Sequence, residues 1–199
     1  MGTASGARQL DTLSLSALAH PLRVRLFDDL TRNGPATATM LAKRHGESSG
    51  ATSYHLRQLE RFGFVETDPD RGTGRERWWR RVPGMVVITP PEGGAEADPA
   101  GHEAFKLVIA EFHRNRLARV QHWLDTAEQW PSEWQHASHQ ATLHLALDPA
   151  ETQQFVDEFD ALVARWRERI AAREASDSTR QVEVQLTVFP LAPPDDDQH

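Results

Sequence analysis

The sequence of 199 residues contains no cysteine. Disulfides, thiolate nucleophiles and thiolate metal sites are excluded together, and the composition suits a reducing compartment. No run approaches the ~18 apolar residues of a membrane-spanning helix, and the N-terminal MGTASGARQLDTLSLSALAH lacks the apolar stretch of a secretion signal. The expectation is a cytoplasmic protein with no membrane partner. Also missing are GxSxG, a Gly-rich phosphate loop and HExxH, and the Ser, His and Asp residues are scattered. No catalytic residue and no cofactor is assigned, and the chain reads as a non-enzyme.

An excess of basic residues is missing as well, but only in the total, where 22 Lys+Arg stand against 29 Asp+Glu for a net charge of -7. Residues 1–90 hold 13 basic and 9 acidic side chains, net +4, and residues 91–199 hold 9 and 20, net -11. This asymmetry implies that the two halves meet different partners. Pro and Gly gather in PGMVVITPPEGGAEADPAG, which carries one short apolar run, Met85 to Ile88. The expected organisation is a disordered N-terminus over 1–10, a folded domain over 11–82, a linker over 83–101, a second domain over 102–190 and an acidic disordered tail over 191–199.

Leu15, Leu18, Leu22, Leu26 and Leu30 recur at helical spacing, with Pro21 accommodated if a helix begins there after His20. Asn33-Gly34-Pro35 ends it. Thr37 can cap a helix over Ala38 to His45, closed by Gly46, and Ser48 or Ser49 can cap another that runs to Phe62. The Gly46-Glu47 connection is too short for a parallel stack and forces a sharp crossing, the spacing of a helix-turn-helix. Phe64 to Thr67 then reads as a strand, DPDRGTG as a turn and Arg75 to Val82 as the returning strand. That hairpin carries Arg71, Arg75, Arg77, Arg80 and Arg81. A basic hairpin in this position is a wing.

ALAHPLRVRLFDDL followed by LAKRHGESSGATSYHLRQLERFGFVETDPDRGTGRERWWR resembles the winged helix of ArsR-type bacterial transcription regulators, in particular those with an added C-terminal α/β domain. Three motifs carry the resemblance: Ala-His-Pro-x-Arg at Ala19 to Arg23, Ser-Tyr-His-Leu-x-x-Leu at Ser53 to Leu59, and the Gly-Phe-Val that follows. It extends from Leu10 to Val82. The resemblance implies binding of double-stranded DNA, repression of transcription, and a homodimer held by a helix after the wing.

At 100° per residue, Thr52, Leu56 and Leu59 share the inward side of the second helix. Ser49, Gly50, Ser53, Tyr54, Arg57 and Arg61 then face outward as the candidate base and phosphate contacts, with Arg71, Arg75 and Arg77 of the wing beside them. Arg57 can reach a guanine edge or a phosphate, and Tyr54 a thymine methyl. His55, on the flank, reads as a packing or capping histidine.

His102 to Trp130 is free of Pro and Gly and would form a helix over about 40 Å long, too long to bury against one small domain. Phe105, Ile109, Phe112, Val120 and Trp123 lie along its stripe as the expected dimerisation surface, and a two-fold dimer would read an inverted repeat. Farther on, Leu143, Leu145 and Leu147 alternate with polar or small residues. Asp148-Pro149 opens a helix with Phe155, Phe159, Leu162, Trp166 and Ile170 on one side, and Val182, Val184, Leu186 and Val188 alternate again. Strand, helix and strand make a βαβ unit. The expected fold class is α+β: winged helix-turn-helix, long dimerisation helix, C-terminal βαβ unit.

Zinc-sensing relatives in the resembled family pair histidines on the dimer helix, and His102 and His113 have that separation. Ala100 and Arg116 stand where acidic ligands would fall, so no metal site is assigned. Trp123, Trp130, Trp134 and Trp166 are candidates for a small-molecule effector pocket, with the core of a small domain as the competing reading. The rival reading is a protein-interaction module, or a regulator controlled by a protein partner through the acidic C-terminal half, distinguished by whether the basic helix and wing engage a duplex.

Overall fold

Capping residues set the first helices in the computed structural model, which describes residues 7–71, 76–174, 176 and 178–191. Asp11 accepts from the Ser14 N–H at 2.8 Å to start α1 (Thr12–Leu18), and His20 Nδ1 accepts from the Leu22 N–H at 3.1 Å to start α2 (Pro21–Asn33). Pro21 occupies the first turn of α2, where its missing N–H costs nothing. Thr37 caps α3 (Ala38–His45), and Gly46 ends it in the left-handed region at φ 68°, which a residue with a Cβ adopts only with strain. Glu47 follows, and Ser48 caps α4 (Ser49–Arg61), so the sharp α3–α4 crossing stands where the sequence places it.

Phe64 opens the wing: its N–H returns to the Leu59 carbonyl at 2.9 Å. β3 (Val65–Thr67) pairs antiparallel with β4 (Trp78–Arg81), and β4 pairs on its other edge with a two-residue strand, β2 (Ala36–Thr37), giving the order β2-β4-β3. Adjacent strand residues face opposite ways. Trp79 accordingly enters the core at 2 % exposure, and Trp78 stays half-buried.

Three expectations are corrected in this region. Within the stretch 1–10 expected to lack structure, Ala7–Gln9 form β1, which pairs parallel with β5 (Met85–Val87), and Leu10 is buried; residues 1–6, and 192–199 of the expected tail, lie outside the described residues. The stretch read as a linker therefore contains a strand. It also contains a short helix, α5 (Gly94–Ala97), and the start of the long helix α6 (Pro99–Thr126). A parallel ladder joins chain segments far apart in sequence, which short-range patterning does not register. The third correction is the start of the long helix, at Pro99 and not at the expected His102: Asp98 caps α6 through the Gly101 N–H and accepts from Thr12 Oγ1 at 2.6 Å, fastening the helix start to α1.

α6 packs on α1 and α2 through Ala104, Val108 and the buried Glu111, with Phe105 and Phe112 half-buried against the same core. That core gathers Leu15, Leu18, Leu22, Val24, Leu26, Phe27 and Leu30 with Leu41, Leu56, Leu59, Phe64, Val65 and Trp79. At about 25 cal/mol per Å² of apolar surface removed from water, these side chains supply most of the stabilisation of the N-terminal unit. A 3-10 turn (Ala127–Gln129) and α7 (Ser132–Ala137) end that unit, which closes at residue 139.

The second unit, from residue 140, holds one helix, α8 (Pro149–Ala171), with a complete capping box between Asp148 and Glu151. The expected βαβ unit does not form: neither 141–147 nor the described residues of 181–189 is a strand, and Leu143, Val182 and Val184 are 71 %, 64 % and 72 % exposed. Alternation specifies an apolar face, but a strand also needs a neighbouring edge to satisfy its N–H and C=O groups. No ladder supplies one among the described residues.

Candidate nucleic-acid interface

α4 divides as its helical period dictates. Thr52, Leu56 and Leu59 are fully buried, and the Thr52 hydroxyl donates to the Ser48 carbonyl at 3.0 Å. Ser49, Gly50, Tyr54, Arg57 and Arg61 are exposed on the opposite side, with Ser53 half-exposed between them. Tyr54 is the only tyrosine of the chain and is 55 % exposed, an amphipathic ring displayed to solvent. A Cβ on Gly50 would meet open space, so the close approach of another molecule is what its smallness permits. Neither Arg57 nor Arg61 has a carboxylate partner among the described residues.

The wing arginines sit in a different electrostatic setting. Arg77 Nη2 lies 2.5 Å from Glu60 Oε1 on α4, its Nε donates to Thr67 Oγ1 at 2.8 Å, and its guanidinium lies 4.2 Å from the Trp79 ring centroid. Arg80 pairs with Glu66 at 2.8 Å, its pKa raised by that hydrogen bond, and Arg71 approaches Asp68 at 3.6 Å while covering Trp78. Arg81 lies over the Phe27 ring at 5.4 Å and so seals the core. Arg75 falls outside the described residues. The basic count of the hairpin thus omits acid neighbours at Glu60, Glu66 and Asp68, of which Glu66 is signalled by the strand register that sets it opposite Arg80.

Two buried polar groups hold this frame. Asp29, 4 % exposed, receives Arg44 at 2.6 Å, His45 at 3.0 Å and Asn33 at 3.0 Å, which clamps α2 to α3. Burial alone would raise its pKa, but the hydrogen bonds from His45 and Asn33 and the Arg44 charge prevail and lower it to about 2. At the middle of α4, the His55 ring lies tilted against His20 with centroids 4.3 Å apart. Both histidines have pKa values lowered below 6.5, chiefly by burial and then by neighbouring positive charge. His20 and His55 thereby join the first two sequence motifs, and the packing reading of His55 agrees with this contact.

The expected dimer stripe splits. Phe105 and Phe112 turn toward the chain's own core, with Phe112 edge-on to Phe27 at 6.5 Å. Farther along the helix, Leu117 and Leu124 are 67 % and 48 % exposed, and Ile109, Val120 and Trp123 are half-exposed. Arg119, on the inner face, pairs with Asp28 on α2 at 2.7 Å. Trp123, Trp130 and Trp134 belong to the N-terminal unit and Trp166 to the other, where Arg169 lies 4.7 Å from its ring centroid. An open cleft in the first unit is lined by Leu10, Asp11, Thr12, Thr89, Pro91 and Asp98 and by none of the four tryptophans. No cluster of three metal-binding side chains occurs, and no helix is long and apolar enough to cross a membrane, among the described residues.

A capped α3, a tight turn, an α4 with an exposed polar face and a three-stranded wing define the N-terminal unit as a winged helix-turn-helix domain, the fold of DNA-binding transcription regulators. Residues 18–68, which contain the Ala19 to Arg23 and Ser53 to Leu59 motifs, match the helix-turn-helix domain family. No curated relative matches the chain. Among solved structures, reduced HlyU from Vibrio cholerae N16961 is 26 % identical over 36 % of this chain and 70 % of its own, with a TM-score of 0.31. A possible transcriptional regulator for arsenical resistance is 29 % identical over 53 % and 93 %, with a TM-score of 0.31. The homodimeric winged helix-turn-helix DNA-binding domain Mb0332 from Mycobacterium bovis, a possible ArsR-family regulator, is 21 % identical over 67 % and 89 %, with a TM-score of 0.32. At such scores the overall likeness carries no weight, and the class rests on the matched span and the local geometry.

Proposed function

We propose that the chain is a sequence-specific regulator of ArsR type that binds double-stranded DNA as a homodimer and represses transcription from an inverted-repeat operator. The observation that supports this best is the outward face of α4, where Arg57 and Arg61 stand exposed, without acidic partners among the described residues, beside Ser49, Gly50, Ser53 and Tyr54. In a helix-turn-helix this face enters the major groove, the N-terminal residues reading base edges and the arginines taking guanine or phosphate. Arg71, Arg75 and Arg77 of the wing are assigned to phosphates or the minor groove, with Arg77 exchanging Glu60 for a phosphate on binding. Self-association is assigned to the distal, outward side of α6, around Leu117, Val120, Trp123 and Leu124, since Phe105 and Phe112 are engaged within the chain.

The test is anisotropy of labelled duplex carrying the protein's own upstream region, titrated across a salt series. Each phosphate neutralised contributes about -0.9 to the slope of log K against log salt. Binding that weakens steeply with salt, and that Arg57→Glu with Arg61→Glu abolishes while circular dichroism stays unchanged, supports the reading. Absence of binding at low salt, or binding indifferent to salt, overturns it in favour of a protein-interaction module.

A further inference from the structure

α8 is 23 residues long, spans about 34 Å and buries no residue. Its apolar stripe, Phe155, Phe159, Leu162, Trp166 and Ile170, follows four-, three-, four- and four-residue steps, the spacing of a helix-pairing seam. Trp166 and Ile170 are each 50 % exposed and Leu162 is 43 % exposed. The helix's charges are also segregated along its axis. Glu151, Asp157, Glu158 and Asp160 occupy the first half without a cation, whereas Arg165, Arg167 and Arg169 occupy the second, where Glu168 is the one acid. None of the first-half acids has a cation three or four residues later, so the helix cannot neutralise its own charges by local pairing.

We infer that α8 pairs antiparallel with α8 of a second copy of this chain, about a two-fold axis passing between Leu162 and Val163. This rests on the proposed function only in calling for two copies, and it places a contact on a helix other than α6. About that axis Phe155 falls beside Ile170 of the second copy, Phe159 beside Trp166, and Leu162 beside Val163. A two-fold perpendicular to antiparallel helices brings each flank of one helix against the same flank of the other. Helical advance puts Glu158, Arg165 and Arg169 along one flank of the stripe, and Asp160 and Arg167 along the other. Acid therefore meets base on both sides. Asp157 and Glu168, the pair this register would set in opposition, lie on the face away from the seam. A parallel pair would place acid against acid and arginine against arginine, and would align the helix dipoles unfavourably. Glu158 accepts from the Gln154 amide at 2.9 Å, a neutral donor that leaves its charge available for the second copy.

The absence of native cysteine allows a direct test in the full chain. Two differently tagged versions, Phe155→Cys and Ile170→Cys, are co-expressed and treated without DNA with a short bismaleimide. A covalent dimer carrying both tags is expected, and none from either version alone, because equivalent residues of the two copies lie about 22 Å apart along the seam. A dimer from Phe155→Cys alone would mean parallel pairing, and no cross-link in any combination would mean that α8 is covered otherwise; either outcome overturns the inference. Substitution at the aromatic seam could unfold α8, so Leu162→Cys next to the axis provides a second measurement. Its self-cross-link should vanish with Glu158→Arg plus Asp160→Arg, vanish with Arg165→Glu plus Arg167→Glu, and return when the two are co-expressed. A cross-link indifferent to these reversals also overturns the pairing. DNA affinity of the unsubstituted chain reports on the DNA reading, and sedimentation of the Glu158→Arg plus Asp160→Arg chain, in which α8 pairing is removed, reports on the α6 contact, so either can stand or fall without this one.

Discussion

α6 and α8 are both long and amphipathic, but the surroundings of their apolar sides differ. α6 sends Ala104, Val108 and Glu111 into a core built from α1, α2 and α4, and holds that position with the Arg119–Asp28 pair. α8 has the cleaner stripe, yet none of its residues is buried. An apolar stripe therefore specifies a face and leaves open what meets it. The partner is settled by whatever other surface the chain, or another chain, can offer.

The strongest way to break the contrast is to remove side chains from each unit. Leu59→Ala should destabilise the N-terminal unit by about 2–5 kcal/mol, since a cavity opens where the side chain is fully buried, whereas Leu145→Ala should move the urea midpoint by less than about 0.5 kcal/mol. Equal effects would mean that residues 141–147 are buried in solution.

Acid sharpens the same difference. Asp29, held at about 2, contributes stability that is complete above the usual carboxylate range near 3.8 and is lost as pH falls toward 2. The shift amounts to about 2 kcal/mol at neutral pH. Asp29→Asn should remove that component, and the N-terminal unit should then lose less stability between pH 5 and pH 2 than the unsubstituted protein.

Arginines allow the comparison to be made at the level of DNA. Arg57→Ala should weaken duplex affinity by about tenfold or more, the effect of one base or phosphate contact. Arg173→Ala, exposed just beyond α8, should leave it unchanged in the same titration. Glu60→Gln, which frees Arg77, should strengthen binding by up to a few-fold; weaker binding would show that the Arg77–Glu60 pair positions the wing instead of restraining it.

The smallest effect concerns His20 and His55. Their lowered pKa values mean that the unfolded chain binds more protons below about 6.5, so their contribution to stability is complete above that pH and declines as pH falls. Arg23, Arg25 and Glu47 face the pair, and Tyr54 lies edge-on to His55 at 5.2 Å. His55→Phe should flatten thermal stability between pH 7.5 and pH 5.5; an unchanged slope would exclude the pair as its origin.

Helices α3, α4 and α8, their starts and the two sides of α4 were legible in the sequence because each depends on residues within one or two turns. Thr37, Gly46 and Leu56 declare their roles to near neighbours. What was not legible depends on distant partners: Ala7–Gln9 pairs with Met85–Val87, Phe112 turns inward against Phe27 and Phe105 against the same core, and Leu143 and Val182 alternate without an edge to join. The wing falls between these cases. Its arginines were visible, but the carboxylates that occupy Arg77 and Arg80 emerge from strand register and from the approach of α4.

Asp28 and Arg119 are 91 residues apart in sequence and 2.7 Å apart in space. The stretch they enclose contains the whole of α3, α4 and the wing, so the pair works as a clasp on a closed loop. A backbone cut within that loop would leave both pieces gripped by the clasp and by the core on either side of it. The reading head could then be divided at the wing turn and still reassemble from two fragments, each inert without the other.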